Sequence, residues 1–277
     1  MSEKDVIHAD ALPLTVDSLA EQFAACGLSA GQTVIVHTRM SALGWVAGGA
    51  QAIILALLRV LTPSGTLMMP AFSPDTCDPA NWRNPPVPEH WVPIIRAHMP
   101  LYDPLTTPTW GVGQVAELFR RWPGVIRSAC SDASFAALGP QAEYLTADHT
   151  SLERLFDDDS PIGKLYKLDG YVFMLGLDHS KNTSIHLAEY RANIPKRYIT
   201  EGTAIMVNGV RQWMPYQFHD LDDSDFAALG DAYEAAHNIP RGRVGRSECR
   251  FVKQRPLVDF AVGWLEQHRT PRETDVR

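Results

Sequence analysis

The sequence predicts an α/β layered domain, and three observations carry that reading. A β-branched strand, an apolar helix and a second apolar strand follow one another near the start (TVIVHT, then Ile53 to Leu61, then TLMMPAF). A third apolar run, YVFMLGL (171–177), has the length of a buried strand, not of a helix. Asn208-Gly209 separates two strand-like runs, the strongest short signal for a β-hairpin.

In chain order, residues 14–26 read as a first helix closed by Gly27. TVIVHT (33–38) is the first strand, and a glycine-rich turn follows at Gly44, Gly48 and Gly49. Ile53, Ile54, Leu57, Leu58 and Leu61 then recur at helical spacing, and Pro63 and Gly65 end that helix. TLMMPAF is the next strand. Residues 73–108 are rich in Pro, Asp and aromatics and lack periodicity, which predicts a long functional loop. Val112, Val115, Leu118, Phe119 and Trp122 share a helical face, and YVFMLGL is a buried strand. From about 202 the pattern becomes TAIMV, Asn-Gly, VRQWMPY, a hairpin. A helix over 224–237 has Ser224 as its N-cap, and Pro256 opens a last helix with Leu257, Phe260, Ala261 and Trp264 inward. No linker interrupts the chain, so 1–277 reads as one domain with a smaller subregion at about 200–255.

Composition excludes several classes. Of 277 residues 45% are hydrophobic and 21% charged, which argues against disorder. The longest apolar run, Ala52 to Leu58, is broken by Arg59, far short of the ~20 residues of a membrane span. The opening MSEKDVIHAD lacks an apolar signal core, so a cytoplasmic protein is expected. Cys26, Cys77, Cys130 and Cys249 are scattered without a CxxC pair and read as reduced thiols. Net charge is −7, and the only basic cluster, RGRVGR (241–246), reads as a solvated loop, so no nucleic-acid partner is expected. Acids cluster at 157–159 and 220–225, as solvated segments or as an attractor for a cationic small molecule.

The chemistry concentrates in GLDHSKNTSIHLAEY (176–190), which follows a strand and so sits where open α/β sheets place ligands. With Asn182 or Thr183 as N-cap, His186 falls in a helix's first turn, with Thr183 and Glu189 three residues to either side. The helix dipole there opposes a positive charge, which favours a neutral imidazole able to act as general base. The same spacing also suits a buried, hydrogen-bonded histidine. His179 and His186 lack HExxH-type spacing, and no metal is expected.

Five blocks resemble the aminoglycoside 3-N-acetyltransferase family in order and spacing: VHTRMSALGWVAGG (36–49), GTLMMPAFS (65–73), FRRWPGVIRSACSDASFAALGP (119–140), SPIGKLYKLDGYVFMLG (160–176) and HSKNTSIHLAE (179–189). The resemblance implies a three-layer α/β/α fold with a mainly mixed central sheet, a β-hairpin and C-terminal helices. It implies acetyl-CoA as donor and the 3-amine of a 2-deoxystreptamine aminoglycoside as acceptor, with a monomer or homodimer as the assembly. His186 resembles the family's base and Thr183 the threonine of its HxxNTxxH pattern; Asp220 aligns with the acid that orients the base, with Asp222 and Asp223 as alternatives. His37, Thr38, Arg39, Ser41, Leu43, Gly44, Trp45 and Val46 match the CoA-binding turn, and Ser134, Phe135 and Ala136 a second stretch near the cofactor. Asp75, Asp78, Asp103, His179, Asp222 and Asp223 are the acceptor-side candidates, with Trp82, Tyr102 and Trp110 placed to stack on sugars. Three departures stand out: Arg39 for a usual serine, Cys130-Ser131 for His-Pro, and Trp110-Gly111 for Met-Gly. They leave open a different small amine as acceptor, or a non-catalytic binding protein.

Overall fold

The computed structural model describes Ile7 and residues 12–269. Residues 1–6, 8–11 and 270–277, which the N-terminal reading and the full domain span include, lie outside the described residues. The strands are β1 (Thr33–Thr38), β2 (Thr66–Pro70), β3 (Ile126–Arg127), β4 (Phe135–Leu138), β5 (Tyr171–Leu175), β6 (Tyr198–Val207), β7 (Val210–His219), β8 (Gly242–Val244) and β9 (Ser247–Lys253). The helices are α1 (Val16–Ala25), α2 (Met40–Leu43), α3 (Gly49–Leu61), α4 (Val92–His98), α5 (Gly113–Phe119), α6 (Ala142–Thr146), α7 (Pro161–Lys167), α8 (Ile185–Arg191), α9 (Phe226–His237) and α10 (Gln254–His268).

Seven strands form one mixed sheet in the order β3-β4-β2-β1-β5-β9-β8. β1 is parallel to both β2 and β5, while β4 and β9 run antiparallel to their neighbours on either side. Strand alternation sorts the core into two layers. Val34, Val36, Leu67 and Met69 pack against α1, α3 and α5 on one face. Ile35, Met68, Val172 and Met174 face α7, α8, α9 and α10 on the other. Strands buried on both faces read as unbroken apolar runs, which is why β1, β2 and β5 are legible in sequence. β6 and β7 form a separate hairpin whose register closes at Val207 opposite Val210. Asn208 (φ 50°) and Gly209 (φ 77°) occupy the left-handed region that a two-residue turn of this kind requires.

The structure revises several boundaries. Segment 73–108 holds three 3-10 turns and α4, a seven-residue helix that buries none of its residues. RGRVGR is not a free loop: Gly242–Val244 is the edge strand β8. Arg241 pairs with Glu234, Asp231 and Glu248. Residue Asp225, not Ser224, precedes α9, and α10 begins at Gln254 with Pro256 inside its first turn. Among the described residues no helix is long and apolar enough to cross a membrane.

Candidate active site

β1 has β2 on one side and β5 on the other, so chain direction across the sheet switches beside its carboxyl end. A cavity of about 1160 Å³ opens there. One wall is the end of β1 and the turn after it, including His37, Thr38, Arg39, Ser41 and Gly44 to Val46. The opposite wall is built by the segment after β5, with Asn182, Thr183 and His186, and by Phe156, Phe218 and Phe226.

The β1 turn is shaped by glycine. Gly48, at φ 88°, is the N-cap of α3, a backbone conformation that disfavours a Cβ. This turn brings Gly49 and Ala50 at the start of α3 to the cavity wall, with the Gly49 N–H already donated to Val46 O at 3.0 Å. Arg39 is exposed, and among the described residues no acid pairs with it. His37 lies one residue past the Val36 face, on the side of the sheet that carries α8. Its Nε2 is buried without a partner, and burial lowers its pKa to about 3, so the ring is neutral at pH 7.

After β5 the chain passes through a 3-10 turn, His179–Lys181, and enters α8. His179 anchors this passage. Its Nε2–H donates to Glu234 Oε1 at 3.1 Å, and Asn182 Nδ2 donates to its Nδ1 at 3.0 Å. The approach of α9 is so close that a Cβ on Gly230 would stand 2.2 Å from His179. Asn182 Oδ1 then accepts the Ser184 amide at 3.1 Å. His186 N–H bonds to Thr183 O at 3.1 Å, and this fixes the first turn that carries His186.

The His186 ring is stacked on Phe156, centroids 5.0 Å apart and 18° from parallel, with Phe226 at 4.9 Å. Nδ1 is 2.5 Å from Glu189 Oε2, which leaves Nε2 as the nitrogen available to a ligand in the cavity. The other Glu189 oxygen accepts Arg269 Nη1 at 2.5 Å and the Asp222 amide at 3.1 Å. Burial alone would raise this carboxyl, but the hydrogen bonds from His186, Arg269 and Asp222 outweigh it and hold its pKa below the usual range.

The acid on His186 is therefore Glu189, not Asp220. Asp220 pairs with Arg197 at 3.1 Å at the end of β7, and its carboxylate is neutralised there. Asp222 reaches Glu189 through its backbone amide, while its carboxylate accepts the Ser224 amide at 3.0 Å. Asp223 does line the cavity, 3.3 Å from Lys181. Glu189 stands three residues after His186, so helical spacing alone could have singled it out.

Other predicted site residues fall away from the cavity for physical reasons. Leu43 is wholly buried in the core. Ser134 bonds to Ala71 O and accepts Arg127 Nε, and Phe135 and Ala136 fill β4, so all three hold the sheet together. His179 is sealed against Glu234. Asp78 is buried and gripped by Arg96 at 2.7 Å. Asp103 spends its carboxylate on the Leu105 and Thr106 amides. Asp75 lies in a 3-10 turn of which only Pro74 reaches the cavity wall. Trp110 is on that wall, whereas Tyr102 donates to Ser128 O beneath Arg127. Asp132, which lines the cavity, was not singled out by sequence. Among the described residues no group of three or more His, Cys, Asp or Glu side chains is placed to hold a metal ion.

Comparison with known proteins gives a consistent result. The family model described as aminoglycoside 3-N-acetyltransferase matches residues 35–266. An SPbeta prophage-derived aminoglycoside N(3')-acetyltransferase-like protein, YokD of Bacillus subtilis, is 43% identical, over 95% of this chain and 96% of its own. Aminoglycoside N(3)-acetyltransferase IX of Micromonospora chalcea is 36% identical over 96% of this chain and 98% of its own. The crystal structure of YokD superposes with a TM-score of 0.92 at 42% identity, covering 96% of this chain and 98% of that one. AAC-IIIb, solved as a binary complex with CoASH, gives 0.82 at 31% identity, covering 95% and 100%. The chain is an acetyltransferase and belongs to the aminoglycoside 3-N-acetyltransferase family.

Proposed function

We propose that the protein transfers the acetyl group of acetyl-CoA to the 3-amine of a 2-deoxystreptamine aminoglycoside, with His186 as general base. The observation that carries this reading is the ring of His186, held by Glu189 through Nδ1 and lining a cavity of about 1160 Å³. Membership of the family and the CoASH complex of AAC-IIIb support the choice of donor. The β1 turn fits that donor: Arg39 on the cavity wall supplies the positive charge that phosphate groups need.

Acetyl-CoA is here a substrate that supplies an activated carbonyl. The chain's own residues handle position and protons. Aminoglycoside amines are largely protonated at pH 7, so the attacking nitrogen must lose a proton to act. His186 Nε2 accepts it, while Glu189 holds Nδ1–H and stabilises the cation that forms. The C–N bond forms as the C–S bond breaks, and the same ring returns the proton to the departing thiolate. In this reading the hydroxyl of Thr183, from the same wall, donates to the carbonyl oxygen as charge develops there. Phe156 and Phe226 keep the ring in one plane and exclude water from its faces.

A thiol-release assay tests the reading directly. Free CoA is expected when gentamicin-, kanamycin- or apramycin-type drugs are added with acetyl-CoA, with mass spectrometry placing the acetyl on the 3-amine. No release across such a panel would reject it. Two variants separate the competing acids. Glu189→Gln is expected to lower kcat on the order of 10²-fold. Asp220→Asn, which loses only an exposed ion pair, should stay within about twofold of the parent. The reverse ranking would return Asp220 to the mechanism.

A further inference from the structure

Two of the four cysteines meet outside the cleft. Cys26 is the C-cap of α1 and Cys249 lies in β9, 223 positions further on, yet their Sγ atoms are 3.0 Å apart. Both are free thiols in this structure. A disulfide has an S–S length of about 2.05 Å, so roughly 1 Å of closure joins them.

The backbone holds both residues in place. Cys26 N–H donates to Gln22 O at 3.0 Å and Gly27 N–H to Ala24 O at 2.9 Å, which closes α1. Gly27, at φ 111°, then lets the chain pass so near β9 that a Cβ there would stand 2.9 Å from Phe251 Cδ1. Cys249 sits between two strands, opposite Leu175 of β5 and Gly242 of β8. The room for the two sulfurs comes from Gly242. A Cβ on it would lie 2.5 Å from Cys26 Sγ and 3.0 Å from Cys249 Sγ, so a side chain there would push into the pair.

The two thiols differ in access and in acidity. Cys26 is partly exposed, whereas Cys249 is buried. The hydrogen bond from Cys249 lowers the pKa of Cys26, while that same bond and burial raise the pKa of Cys249. Cys26 is therefore the thiolate that reacts first, and Cys249 the thiol that follows. The other two cysteines, Cys77 and Cys130, are buried, and burial pushes both thiols up.

We propose that Cys26 and Cys249 form a reversible disulfide when the protein meets a peroxide. The Cys26 thiolate attacks one oxygen of hydrogen peroxide; the O–O bond breaks, and a sulfenic acid and hydroxide result. The Cys249 sulfur then attacks the sulfenic sulfur. The S–S bond forms, the S–O bond breaks, and the proton of each thiol leaves with a hydroxide as water. Two thiols and one hydrogen peroxide thus give one disulfide and two waters: both sulfurs are oxidised and both peroxide oxygens reduced. A dithiol reductant reverses the step by exchange. The cross-link ties α1 to the β8–β9 edge of the sheet and closes a loop of 223 positions, so it opposes unfolding.

The full chain is treated with hydrogen peroxide, its remaining thiols are capped with N-ethylmaleimide in denaturant, and its peptides are mapped by mass spectrometry without reduction. The expected product joins the Cys26 and Cys249 peptides and leaves two of the four thiols to be capped. The melting temperature should rise by about 5 °C and return to its starting value with dithiothreitol. Cys26→Ser and Cys249→Ala should each abolish both the cross-link and the rise. Cys26→Ser changes a partly exposed position, so it decides the matter should Cys249→Ala not fold. Four capped thiols after treatment would overturn the proposal. So would Cys26 carried on to sulfinic acid with Cys249 still free, or a disulfide made instead to Cys77, Cys130 or a second chain. These readouts need no turnover, so they are independent of the acetyl-transfer reading.

Discussion

His186→Ala is expected to reduce acetyl transfer by about 10²–10⁴-fold, the range that a positioned general base contributes. Binding of acetyl-CoA should change little, because the groups proposed to hold it lie on the β1 wall. Folding should also survive. The buried Glu189 carboxylate keeps Arg269 and the Asp222 amide when the imidazole is removed, so no charge is left unpaired. The remaining cost is the gap between Phe156 and Phe226, and His186→Gln narrows it. Steady-state rates beside a CoA-binding titration separate the outcomes. Full activity in both variants would remove His186 from the mechanism, and loss of CoA binding in step with activity would make its role structural. Glu189→Gln adds a second check. If the two residues act as one unit, the double variant should be hardly slower than His186→Ala alone.

Why the central elements were legible and the site's acid was not has a physical answer. β1, β2, α3 and β5 bury both faces or a full stripe, so hydrophobic periodicity reports them. β3 has two residues and β8 three, too short for any period, and β8 carries an arginine cluster that looks solvated. Sequence placed His186 and Thr183 on one cavity because both follow a strand at its carboxyl end. The acid that resemblance suggested, Asp220, does not meet the ring. Asp220 lies 34 residues from His186, and only the register of β6 and β7 decides that Arg197 takes it. The same holds for Asp78, whose neutralising Arg96 sits on a seven-residue helix that buries none of its residues. Glu189 was within reach: on a helix, three residues is one turn's neighbour. Ser134 to Ala136 illustrate the converse, since residues that resemble a cofactor stretch can serve a strand that packs beneath the site.

The other large effect is expected far from the chemistry, at Glu234. This buried residue binds His179, Arg250 at 2.8 Å and Arg241 at 2.7 Å, and Arg250 is itself buried. Removing it as Glu234→Ala leaves the buried Arg250 with only Glu248, at 4.0 Å, as counter-charge, which costs about 3 kcal/mol. For a chain of this size that corresponds to a loss of roughly 5 °C in Tm. Burial would raise the carboxyl, but its hydrogen bonds from His179 and Arg241 and the charge of Arg250 hold it at about 2. A carboxyl depressed in the folded state stabilises the protein fully above its unfolded value, ~4.3, and that contribution is lost as pH falls toward 2. The parent should therefore lose on the order of 3 kcal/mol from this group between about pH 5 and pH 2. Glu234→Gln should start lower and show a flatter acid limb, measured by thermal melts across that range. Parallel pH curves for parent and variant would show that Glu234 is not the group responsible. The effect reaches the site because His179 is the link between Glu234 and Asn182, and Asn182 sets the first turn of α8. A partly stable Glu234→Gln enzyme should accordingly show a lower kcat at temperatures where it is still folded. A variant that melts earlier but turns over at the parent rate would confine Glu234 to stability and release His186 from its control.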